Sequence, residues 1–93
     1  MNIEVSRDED RQLLKVYRAL GERSRLNVLR VLKKRGELNC SEVRDELGLT
    51  PSTMSHHVAL LEDCGLIDVR RQGTFRILSL REEVLQRFAP AVL

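Results

Sequence analysis

The chain is 93 residues long, 42% hydrophobic and 32% charged, which leaves room for one hydrophobic core and excludes a multi-domain enzyme. Interspersed charges of both signs argue against disorder and against a membrane span, and 16 Lys plus Arg against 14 Asp plus Glu give a net charge of +2, too small to indicate nucleic-acid binding without positional support. Tyr17, Phe75 and Phe88 are the only aromatic residues, too few for a base-stacking surface or an aromatic cofactor pocket.

A chain of this size buries only about 60–65% of its unfolded surface, so an oligomer that hides more apolar area is expected. Cys40 and Cys64, in a chain with no apolar leader at its start, read as reduced thiols and give a cytoplasmic expectation. Residues 1–5 are expected to form a flexible tail. A first helix is predicted from Ser6 to Leu20, opened by the Ser6/Glu9 capping box and carrying Leu13, Val16, Tyr17 and Leu20 on one face. A second carries Leu26, Leu29 and Leu32 with Val28 and Val31, and ends in Lys33-Lys34-Arg35 before Gly36. A third, short helix starts at Asn39, has Val43 and Leu47 as its inward pair, and stops at Gly48. Thr50 as cap and Pro51 at the first helical position launch a fourth, with Met54, Val58 and Leu61 inward until Gly65.

Beyond Gly65 the period shifts toward two, predicting a hairpin wing over residues 66–80 with Gly73 at its turn. Its inward face is ambiguous, because Phe75/Ile77 and Leu78/Leu80 lie on opposite parities. Residues 81–93 place Val84, Leu85 and Phe88 at helical spacing until Pro90. The expected fold is therefore a single mainly α domain, residues 1–93, with a helix-turn-helix at 39–64 followed by a β-hairpin: a winged helix-turn-helix.

At 100° per residue, Ser52, His56, Ala59 and Asp63 fall opposite the Met54/Val58/Leu61 stripe of the fourth helix, with Ser55 on the flank. Small polar groups near the N-terminus suit a helix that enters the major groove of double-stranded DNA, although any amphipathic surface helix has a polar outer face. Arg70, Arg71 and Arg76 set three guanidinium groups on the hairpin beside it. Lys33, Lys34 and Arg35 are better explained by the helix dipole.

The segments Leu20-Gly21-Glu22-Arg23-Ser24-Arg25-Leu26, Ser41-Glu42-Val43, Leu49 through Leu61 with its Ser55-His56-His57 run, Cys64-Gly65-Leu66-Ile67 and Arg70-Arg71-Gln72-Gly73 resemble the ArsR/SmtB family of winged-helix repressors. The resemblance implies a homodimer that covers an operator and releases it when an effector, unidentified here, binds. It implies that Thr50, Ser52, Ser55, His56 and Ala59 face the bases. By the same resemblance Arg70, Arg71, Gln72, Gly73 and Arg76 form a wing that touches backbone, and Leu13, Leu14, Tyr17, Val84, Leu85 and Phe88 form the dimer contact. A two-fold pair of reading helices predicts a palindromic site.

Two departures bear on effectors. Asn39 and Ser41 stand where metal-sensing relatives carry a Cys-x-Cys pair, and residues 81–93 hold no His or Asp, so no metal and no cofactor is expected. His57 and Cys64 are separated by roughly 10 Å along a helix, too far to share one zinc. His57 is read as a groove-edge or half-buried residue and Cys64 as packing. A redox or sulfur-sensing variant remains open, with Cys40 at a helix N-terminus as its thiol, activated by the dipole. An enzyme is not expected, because the candidate nucleophiles and histidines crowd onto one helix with no carboxylate to orient them. The other rival is a winged-helix module that binds protein.

Overall fold

The computed structural model describes residues 7–93. The expected tail and the Ser6 cap lie outside the described residues. The helix α1 spans Arg7–Leu20 and begins with Asp8, Glu9 and Asp10, whose charges complement the positive end of its dipole. It buries Val16 and Ala19, while Leu14 and Tyr17 are 68% and 51% exposed. Glu22 caps the next helix, α2 (Arg23–Arg35), by accepting the Arg25 amide at 3.1 Å, and α2 buries Val28, Leu29 and Leu32.

A two-residue strand, β1 (Leu38–Asn39), precedes α3 (Cys40–Leu47). It is too short to leave a periodic signal in the sequence. Gly48 adopts the left-handed conformation that ends α3 (φ +66°). Leu49 and Thr50 then lead into α4 (Pro51–Asp63), and the Thr50 hydroxyl accepts the Thr53 amide at 3.2 Å.

The hairpin consists of β2 (Ile67–Gln72) and β3 (Phe75–Leu80). Its turn is Gly73-Thr74, and a positive φ at Gly73 (+61°) with none at Thr74 matches a type II′ turn. The pairings Ile67↔Leu80 and Val69↔Leu78 resolve the parity: these four residues join the core, Phe75 is 56% exposed and Ile77 stands outside the core cluster. The antiparallel sheet has the order β1-β3-β2.

The last helix is α5 (Glu82–Phe88). Val84 and Leu85 are buried in the chain's own core, since α5 folds back over it. Phe88 is part-buried there, its carbonyl accepts the Tyr17 hydroxyl at 2.7 Å, and Arg87 pairs with Glu9 on α1. Within one chain, the accessible part of the expected face is Leu14 and Tyr17, with Leu13 and Phe88 at its margin. Among the described residues, no helix is long and apolar enough to cross a membrane.

Candidate nucleic-acid interface

The helix α4 divides cleanly along its length. Met54, His57, Val58 and Leu61 are buried, whereas Ser52, Thr53, Ser55, His56 and Ala59 are exposed, together with Thr50 at the cap. No acidic residue stands in its first turn, so nothing offsets the positive end of the helix or repels a phosphate there.

His57 departs from the sequence reading. It is 6% exposed rather than half-buried, and it is held by a network that joins three helices. The buried guanidinium of Arg25 donates through Nε to the Ala19 carbonyl at 2.7 Å and through Nη2 to the Arg18 carbonyl at 3.3 Å, capping the end of α1. Its Nη1 lies 3.2 Å from His57 Nδ1. Arginine can only donate, so that nitrogen accepts and the imidazole is neutral with its proton on Nε2. Glu22 lies 3.6 Å from Nε2, beyond hydrogen-bond reach.

Burial is the main force lowering the His57 pKa. Glu22 opposes it, and the positive charge of Arg25 and the nearby His56 add to it. The amides of Ser24 and Arg25 hold the Glu22 carboxyl below its usual range. The signal that could have found this network was the helical wheel itself, which sets His57 about 60° from Met54, on the buried side.

The three arginines of the wing divide between the two faces of the hairpin. Arg70 points to the outer face and pairs with Glu37 at 3.6 Å. Arg71 and Arg76 are direct cross-strand partners on the same face as Val69 and Leu78. Gln72 and Gly73 are exposed at the tip. Arg76 is part-buried, and it lines a cleft of about 340 Å³ with Ser55 of α4, Arg44 of α3, and Cys40.

Cys40 does not fit the activated thiol anticipated for a redox sensor. Burial pushes its pKa up, and the charges of Arg76 and Arg44 offset this only in part. Cys64 is buried, its thiol donates to the Leu61 carbonyl at 3.4 Å, and burial raises its pKa as well. Among the described residues, no three His, Cys, Asp or Glu side chains converge as metal ligands.

Comparison with known proteins places this geometry in a family. A helix-turn-helix domain model matches residues 20–70. The chain is 31% identical over 90 residues to the uncharacterized HTH-type transcriptional regulator YceK of Bacillus subtilis (strain 168), covering 96% of this chain and 90% of the relative. The crystal structure of an ArsR family transcriptional regulator superposes with a TM-score of 0.75 at 28% identity, over 83% of this chain and 78% of that one. A homodimeric winged helix-turn-helix DNA-binding domain from Mycobacterium bovis, described as a possible ArsR-family regulator, gives 0.77 at 28% identity, over 97% and 85%. The chain belongs to the ArsR family of winged helix-turn-helix transcriptional regulators, a family of DNA-binding proteins and not of enzymes.

Proposed function

We propose that this regulator is a homodimeric repressor that inserts α4 into the major groove of a palindromic operator. Ser52, Ser55 and His56 face the base edges, Thr50 and Ala59 border them, and Arg70, Arg71, Gln72, Gly73 and Arg76 of the wing lie along the flanking backbone. The observation that carries this reading is the division of α4: its apolar side and His57 are buried, while the small polar groups beside the wing are exposed and bond to little within the chain. The dimer draws support from the exposed Leu14 and Tyr17 on one side of α1, and from the homodimeric M. bovis relative. Family resemblance adds an effector that lifts repression.

Selection of genomic fragments on the purified protein, followed by fluorescence titration of the recovered duplex at rising salt, tests the reading. The expected result is an inverted repeat with half-sites about 10 base pairs apart, or a multiple of that, and affinity that falls steeply with salt. Recovery of unrelated fragments bound with a flat salt dependence would oppose it and favour a protein-binding role.

A further inference from the structure

The imidazole of His57 stands between opposite charges. Its Nδ1 accepts from the Arg25 guanidinium at 3.2 Å, and its Nε2 faces the Glu22 carboxylate at 3.6 Å. The same carboxylate oxygen, Oε2, caps α2 by accepting the Arg25 amide. His57 and Arg25 are 6% and 9% exposed, so water screens their contact weakly. The charged and titratable groups that bear on the ring are Glu22 between α1 and α2, Arg25 of α2 and His56 of α4. From α1 come the Arg18 and Ala19 carbonyls, both taken by Arg25.

A proton added to this ring has one place to go. Because Nε2 already carries hydrogen, the proton binds Nδ1 and turns the acceptor into a donor that faces another donor. The bond to Arg25 is lost, two like charges are left in contact, and the attraction between Nε2 and Glu22 grows. The ring is drawn from the guanidinium toward the carboxylate that caps α2. Close packing leaves so buried a ring little room to move by itself, so α4 moves with it. Ser55 and His56 immediately precede His57, on the exposed side of the same helix.

We propose that Arg25 and His57 are positioning residues for α4, and that only the neutral imidazole seats the helix in the orientation that binds an operator. The effect on DNA rests on the function proposed above; the movement of α4 does not. A bound state that needs the neutral ring releases a proton, so affinity falls with pH by at most about tenfold per unit once the ring titrates. The exposed His56 acts in the opposite sense, because an imidazole beside phosphate takes up a proton and gains affinity as pH falls. The two ring centroids are 6.0 Å apart, and a substitution at His57 separates their effects.

Affinity for the selected duplex is measured from about pH 7.5 to about pH 5 at fixed ionic strength, with far-UV circular dichroism at each pH, for the unaltered protein, His57→Asn and His57→Leu. The asparagine carbonyl takes the place of Nδ1 and accepts from Arg25 at every pH, whereas leucine offers no acceptor. Relative to His57→Asn, the unaltered protein should lose about threefold or more additional affinity across this range. His57→Leu should bind about tenfold more weakly than His57→Asn at neutral pH. In the unaltered protein without DNA, ¹⁵N NMR follows the His57 ring while residual dipolar couplings of the amides report the orientation of α4 relative to α2; that orientation should change with the midpoint of His57.

Parallel affinity profiles for the unaltered protein and His57→Asn overturn the inference, as does equal affinity of the asparagine and leucine variants. So does a His57 ring that titrates while α4 keeps its orientation, or one that titrates only as the chain unfolds; both are read on the unaltered protein, whether or not the variants fold. If the duplex binds and none of these pH effects is seen, the inference fails and the proposed function stands. If α4 reorients with His57 but no duplex binds at any pH, the coupling stands and the proposed function fails.

Discussion

The helix α4 and the wing solve opposite problems with the same kinds of side chain. On the inner side of α4 every strong polar demand is met: the Arg25 guanidinium bonds two carbonyls and the imidazole of His57, and the imidazole in turn tethers α4 to the junction of α1 and α2. On the wing, Arg71 and Arg76 face each other without a counter-charge, and Arg76 keeps a buried donor unbonded. A satisfied network fixes geometry, whereas an unsatisfied one is free to gain energy from a ligand. The fold is fully bonded where it holds α4 and electrostatically incomplete on the wing.

Substitutions on either side of that contrast separate stability from binding. Leu61→Ala, on the buried stripe, should lower unfolding free energy by about 2–5 kcal/mol in chemical denaturation, while Ser52→Ala on the outer face changes it by no more than about 0.5 kcal/mol. An equal loss for both would contradict the division of α4. Arg25→Met should cost about 2–3 kcal/mol, because it strips partners from two carbonyls and from His57 Nδ1; near-neutral stability would show that the network does not hold the helix.

The His57 tether also predicts a pH dependence. Its folded pKa lies below the ordinary value, so the unfolded chain takes up the proton first. Its contribution is complete above about pH 6.5 and is lost as pH falls from there toward the folded value, with a slope of at most about 1.4 kcal/mol per pH unit. His57→Gln should flatten that part of the stability profile; an unchanged profile would assign the slope elsewhere. A small stability effect is expected at Arg70, whose exposed pair with Glu37 contributes about 0–1 kcal/mol. Arg70→Ala should leave folding nearly intact and reduce the salt slope of DNA binding by about one.

The helix-turn-helix was legible because its punctuation is local: Asn39 caps α3, Gly48 closes it, and Thr50-Pro51 opens α4. The inward side of the wing was not, because both parities of β3 are apolar and only pairing with β2 decides between them. Helical spacing identified Val84 and Leu85 as apolar, but spacing does not say whether a residue's own core or a partner covers it. The activation expected at Cys40 considered the helix dipole and not burial, which is the larger influence on its thiol. His57 lay on the buried side of the wheel, yet Arg25, which makes its burial tolerable, is 32 residues away in sequence.

The most direct test of the account compares His56→Ala with the unaltered protein on its selected operator and on a random duplex, at one salt concentration. If the outer face of α4 reads bases, affinity for the operator should fall by about 1–3 kcal/mol while random-duplex affinity is unchanged. Equal losses on both duplexes, or none on either, would contradict a base-reading role for that face.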